Sequence, residues 1–137
     1  MTDSEQIIFL VDDDEDDRML IGEAIVEMMH NVRVIEFNNG IDFLDSILAQ
    51  PHLKQPLILM DINMPRMSGL EVISAMQSDP QCRLYPVVAI STAQDAAQIE
   101  KVIASGALQY YTKPHSFDQI GQLVGNIKDF YYSHYGF

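Results

Sequence analysis

Ile7-Ile8-Phe9-Leu10-Val11-Asp12-Asp13 is a continuous apolar run, rich in β-branched residues, that stops abruptly at two aspartates. A strand with water on one side alternates apolar and polar residues. One that is apolar throughout is buried on both faces, which is the habit of parallel strands covered by helices. Leu57-Ile58-Leu59-Met60-Asp61 repeats the arrangement, again ending at an acid, and Pro86-Val87-Val88-Ala89-Ile90 runs into Ser91-Thr92. Residues 32–37 read as a shorter second strand, and residues 107–112 as a fifth that ends at Lys113-Pro114.

Between these runs the period changes. Residues 18–29 carry Met19, Leu20, Ala24, Ile25 and Met28 at helical spacing, and residues 40–49 place Ile41, Leu44, Ile47 and Leu48 on one face. Ser68 followed three residues on by Glu71 forms a capping-box pattern, which predicts a helix over 69–77. Another helix is predicted over 95–105, closed by Gly106, and a last one over 116–132 with Ile120, Leu123, Val124, Ile127 and Phe130 facing inward. Residues 51–56 read as a loop. Strand and helix alternate five times, with no repeat or low-complexity segment. The predicted fold class is α/β, a doubly wound (βα)5 sandwich around a central five-stranded parallel sheet.

The 137 residues are expected to form one domain over 1–137, with its core over about 6–132 and a short aromatic tail over 133–137. A net charge of −12, with only 8 scattered basic residues, argues against nucleic acid as a partner, because phosphate contacts need clustered Lys and Arg. The single cysteine, Cys82, allows no internal disulfide and fits a reducing cytoplasm; set in a polar stretch without a neighbouring base, it reads as inert. No run approaches the roughly 18 apolar residues of a membrane span, and the N-terminus lacks a signal-peptide layout. The expected setting is cytoplasmic, without a membrane partner.

In doubly wound folds, ligands bind at the carboxyl ends of the strands, at the topological switch point. The residues there are Asp12 and Asp13, Asp61, Ser91-Thr92, and Lys113. An acidic run such as residues 12–17 is more often a solvated loop or helix start than a metal site, and Glu15, Asp16 and Asp17 are expected only to favour a helix N-terminus. Lys113 alone would be a surface lysine. Their joint placement at strand ends is what points to a site. Three converging carboxylates repel unless a cation lies among them, and oxygen-only ligands suit a hard ion such as Mg²⁺. Phosphoryl transfer needs positioning and positive charge, and a carboxylate can serve as the nucleophile that forms an aspartyl phosphate.

Leu10-Val11-Asp12-Asp13, the segment Leu59-Met60-Asp61-Ile62-Asn63-Met64-Pro65-Arg66-Met67-Ser68-Gly69, Pro86-Val87-Val88-Ala89-Ile90-Ser91 and Tyr111-Thr112-Lys113-Pro114 together resemble the receiver domains of bacterial two-component response regulators, of the stand-alone CheY-like type. The resemblance spans the chain from Ile7 to the last helix and implies a flavodoxin-like, CheY-like fold. It implies that Asp61 accepts a phosphoryl group from a sensor histidine kinase. It further implies Mg²⁺, or Mn²⁺ in its place, held by Asp12, Asp13, Asp61 and the backbone carbonyl of Asn63. Lys113 would pair with Asp61 and then hold a phosphate oxygen, and Pro114 would follow a cis peptide bond. The family's switch hydroxyl falls at Ser91, thirty residues after Asp61 and twenty-two before Lys113, and its switch aromatic at Tyr110. Thr92 stands where the family usually has alanine, a departure that bears on phosphoryl-group lifetime. Tyr111 is expected on the opposite face of the strand.

The implied function is a signalling switch without an output domain, not a turnover enzyme, whose surface of helix 4, strand 5 and helix 5 changes affinity for a downstream protein. A phosphatase or phosphotransferase would want a second acid two residues after the nucleophile, where Asn63 stands; a degenerate interaction module would have lost Asp61, Lys113 or the acidic pair. His30, His52, His115 and His134 lack metal-ligand spacing. The aromatic stretch Phe130-Tyr131-Tyr132-Ser133-His134-Tyr135-Gly136-Phe137 has two readings, a frayed helix end or a patch for homodimer or kinase docking. Stand-alone receivers paired with phytochrome-type kinases carry a similar C-terminus, which this chain resembles.

Overall fold

Strand pairing in the computed structural model is parallel throughout, in the order β2-β1-β3-β4-β5. The structure describes residues 6–50 and 52–136; residues 1–5, Pro51 of the predicted loop and Phe137 of the predicted tail lie outside it. The elements in chain order are β1 (Gln6–Val11), α1 (Glu15–Met28), β2 (Val32–Phe37), α2 (Gly40–Ala49), β3 (Leu57–Asp61), α3 (Gly69–Gln77), β4 (Val87–Ser91), α4 (Ala96–Ser105), β5 (Gln109–Thr112) and α5 (Ile120–Tyr135). Short 3₁₀ turns, Cys82–Leu84 and Phe117–Gln119, precede β4 and α5.

Because neighbouring side chains of a strand point to opposite faces, the inner strands feed two cores. Phe9, Val11, Ile58, Met60, Val87 and Ala89 pack against α2, α3 and α4 through Phe43, Ile47, Val72, Ile73, Met76 and Val102. Ile8, Leu10, Leu57, Leu59, Val88 and Ile90 meet α1 and α5 through Ile21, Ile25, Leu123, Val124, Ile127 and Tyr131. Tyr110 belongs to the first core and Tyr111 to the second, as the strand period requires. Strand order reverses between β1 and β3, so the ends of those strands border the crevice.

Local chemistry sets the helix starts. Asp14 caps α1 by accepting from the Asp17 amide at 2.9 Å, so the helix begins three residues before the predicted start at Arg18, with Glu15, Asp16 and Asp17 in its first turn. The capping box of Ser68 and Glu71 is present, at 3.2 and 2.9 Å. Gly69 is required by close approach: a Cβ there would collide with the carbonyl oxygen of Asp61 and lie 2.9 Å from Cα of Ile62. Gly106 closes α4 at φ +129°, a conformation suited to glycine.

Two expectations change. The peptide bond before Pro114 is trans, as is every other among the described residues; trans is the lower-energy form for proline too, and the Lys113 amide continues the ladder to the Ser91 carbonyl at 2.8 Å. Over residues 130–136 the aromatic stretch is also no frayed end. α5 runs to Tyr135, Tyr131 is fully buried, and its hydroxyl donates to the Gln55 carbonyl at 2.8 Å while that of Tyr135 donates to the Pro56 carbonyl at 2.5 Å.

Candidate functional site

At the carboxyl edge of the sheet the chain buries charge. Asp12 is 0% exposed, Asp61 4%, Ser91 0% and Lys113 6%, although ionised side chains are seldom buried without partners. Asp12 follows β1, Asp61 and Ser91 are the last residues of β3 and β4, and Lys113 follows β5. The strands therefore aim all four at one crevice, where Asp13 joins them from an exposed position.

Carboxylate oxygens of Asp12, Asp13 and Asp61 lie within 4.8 Å of one another. The Lys113 ammonium is 2.7 Å from Asp12, 3.0 Å from Asp17 and 3.6 Å from Asp61. Asp12 Oδ1 accepts from the Asp14 amide at 2.9 Å, while Oδ2 has the ammonium beside it but no directed hydrogen bond. Burial, with the charge of Asp12 adding to it against Lys113, pushes the Asp61 carboxyl up to about 8. Burial raises Asp12 as well, opposed by Lys113. For Lys113, burial alone would lower the pKa; its carboxylate neighbours, Asp12 foremost, outweigh that and hold it above the ordinary lysine value.

These residues fit a hard divalent cation. The donors are oxygen only, one buried carboxylate oxygen lacks a directed partner, and three acids face a single ammonium. Asp12, Asp13 and Asp61 could hold the ion.

Ser91 supplies a different kind of group. Its hydroxyl oxygen accepts from Asn63 Nδ2 at 3.3 Å, the Ala93 amide at 3.2 Å and Gln98 Nε2 at 3.4 Å. These neighbours are all donors, so the hydroxyl's own proton is free for an acceptor arriving at Asp61. The Tyr110 hydroxyl donates to the Ala93 carbonyl at 2.7 Å and accepts from Gln98 at 3.1 Å. Thr92 is exposed beside Ser91, and Asn63, also exposed, reaches the site through its side-chain amide.

Three residues escaped the sequence reading. Asp17 is more than a helix-end acid, since it pairs with Lys113. Its signal lay in the cap: with Asp14 capping, Asp17 is the third helical residue, and helical side chains lean back toward the N-terminus. Arg18 donates to the Asp12 carbonyl at 2.7 Å and to Glu36 at 3.0 Å, bracing the turn after β1. Gln98 contacts both Ser91 and Tyr110 from α4, and no sequence motif marks it.

Known proteins resemble the chain over most of its length. The chain is 31% identical over 123 residues to the polar-differentiation response regulator DivK of Brucella anthropi, covering 90% of this chain and 94% of that one. The crystal structure of the phosphorylated cyanobacterial phytochrome response regulator RcpA superposes with a TM-score of 0.82 at 29% identity, covering 96% of each chain. The Mn²⁺-bound form of response regulator Rcp1 has the same fold, with a TM-score of 0.79 at 23% identity over 91% of this chain and 93% of that one. Residues 8–125 match the response regulator receiver domain, and with the acidic crevice at the end of a CheY-like parallel sheet this means that the chain belongs to that family.

Proposed function

We propose that this chain is a phosphoacceptor switch in which Asp61 takes a phosphoryl group from the phosphohistidine of a sensor histidine kinase. The observation that carries the reading is Asp61 itself, buried at the end of β3 with the Lys113 ammonium 3.6 Å away and Asp12 and Asp13 beside it. An Asp61 oxygen attacks phosphorus, the bond from phosphorus to the histidine nitrogen breaks, and the imidazole leaves with the electron pair. Lys113 turns to an oxygen of the transferred group and offsets its charge. The Ser91 hydroxyl donates its uncommitted proton to another. Asp12, Asp13, Asp61 and the carbonyl of Asn63 would hold Mg²⁺, or Mn²⁺, which supplies further positive charge to the transferring group. Water later attacks the phosphorus, the bond to the Asp61 oxygen breaks and inorganic phosphate leaves, so the carboxylate is regenerated and the domain times a signal.

Movement of Ser91 and Tyr110 toward the modified site shifts α4, β5 and α5, a face where Ile103 and Leu108 already stand exposed. A downstream protein reads that face. The similarity to RcpA supports a phytochrome-type kinase as the donor. Thr92, exposed beside the switch serine, is placed to influence how long the group lasts.

The test is incubation with acetyl phosphate or phosphoramidate, with and without Mg²⁺, read by intact mass on wild type and Asp61→Asn. A Mg²⁺-dependent gain of one phosphoryl group, absent from the variant, supports the reading. Failure of wild type to gain it and to bind beryllofluoride overturns it.

A further inference from the structure

A switch needs a physical link between a displaced hydroxyl at the sheet edge and the surface of a helix. Gln98, in the first turn of α4 and half-buried, makes that link. Its Nε2 lies 3.1 Å from the Tyr110 hydroxyl and 3.4 Å from Ser91 Oγ. The proton of Tyr110 is committed to the Ala93 carbonyl at 2.7 Å, so the phenol can only accept from Gln98. This fixes the amide with its NH₂ group inward. That group carries two protons and serves both side chains at once. Among the described residues no other α4 side chain hydrogen-bonds to either of them.

We infer that Gln98 is the positioning residue through which α4 senses the site. The inference rests on the phosphoacceptor reading above. When Ser91 Oγ moves toward a phosphoryl oxygen on Asp61, its contact with Gln98, already 3.4 Å, is the one that lengthens and breaks. The shorter contact, 3.1 Å to Tyr110, persists. The first turn of α4 then answers to the phenol alone, and its balance of conformations changes. Gln98 touches no reacting atom, so its loss leaves phosphoryl transfer intact while cutting the link between the modification and the helix.

Gln98→Met keeps the length of the side chain and removes both N–H donors; Gln98→Glu keeps its shape and offers acceptors instead. Full-length wild type and both variants are compared for acetyl phosphate labelling by intact mass, for thermal unfolding, and for amide exchange over residues 94–105 with and without Mg²⁺ and beryllofluoride. All three proteins are expected to take one phosphoryl group at rates within roughly two-fold and to unfold at similar temperatures. The exchange change that beryllofluoride induces in the first turn of α4 shrinks by roughly three- to ten-fold in the variants, the weight of one neutral hydrogen bond. Equal changes in all three proteins, or no change in wild type that does take the adduct, overturn the inference and leave the phosphoacceptor reading standing. Absence of any adduct on wild type overturns that reading itself.

Discussion

Lys113 is claimed by several acids at once, and in this state the tighter claims come from Asp12 and Asp17 rather than from Asp61. Asp17 has a side chain 40% exposed, so its pair with Lys113 contributes little to stability, less than about 1 kcal/mol. Its effect is on where the ammonium sits. Asp17→Asn removes a competitor of the incoming phosphoryl oxygens, and labelling by acetyl phosphate is expected to accelerate by roughly two- to five-fold, with a thermal midpoint nearly unchanged. A time course by intact mass measures it, and slower labelling would mean that Asp17 aligns the lysine instead of holding it back. Asp12, Asp61 and Lys113 were legible in the sequence because each stands at the end of a strand, and a parallel sheet gathers such ends at one edge. Asp17, Arg18 and Gln98 were not. They reach the site from helices, and the distance they cover depends on how α1 and α4 dock, which strand periodicity does not encode.

Elements show the same division. All five strands and five helices were legible from runs and periods; their limits were set by chemistry that a run does not display. α1 starts early because Asp14 caps it, and α5 extends past 132 because Tyr131 and Tyr135 find carbonyl partners in the segment before β3. This internal clamp replaces the frayed-end reading over residues 130–136. Gln55 is held there at φ +54°, a left-handed conformation uncommon for a residue with a side chain, and its carbonyl is the one that Tyr131 caps. Tyr131→Phe leaves that carbonyl without its donor and is expected to cost about 1–2 kcal/mol, seen as a lower urea midpoint with an unchanged slope. A loss confined to peptide exchange near Gln55 without a global change would assign the clamp a purely local role.

For the molecule as a whole, the buried acids store a stability that depends on pH. An acid whose folded-state pKa is raised binds its proton more tightly when folded, so its favourable contribution is full below the unfolded value of 3.8 and is lost as pH climbs toward the Asp61 value of about 8. Without divalent cations the protein should therefore unfold more readily at about pH 8 than at about pH 6. Asp61→Asn should flatten that dependence and stabilise the metal-free protein at the higher pH by on the order of 1–3 kcal/mol. Thermal unfolding in a chelator at both pH values decides it, and Mg²⁺ should restore wild type at the higher pH by mass action. The crevice also lies between two separate cores: Asp17 approaches from the α1 and α5 side, whereas Gln98 and Tyr110 belong to the side of α2, α3 and α4. A substitution in one core can accordingly alter the packing of that flank while leaving in place the residues that the other flank sends to the crevice.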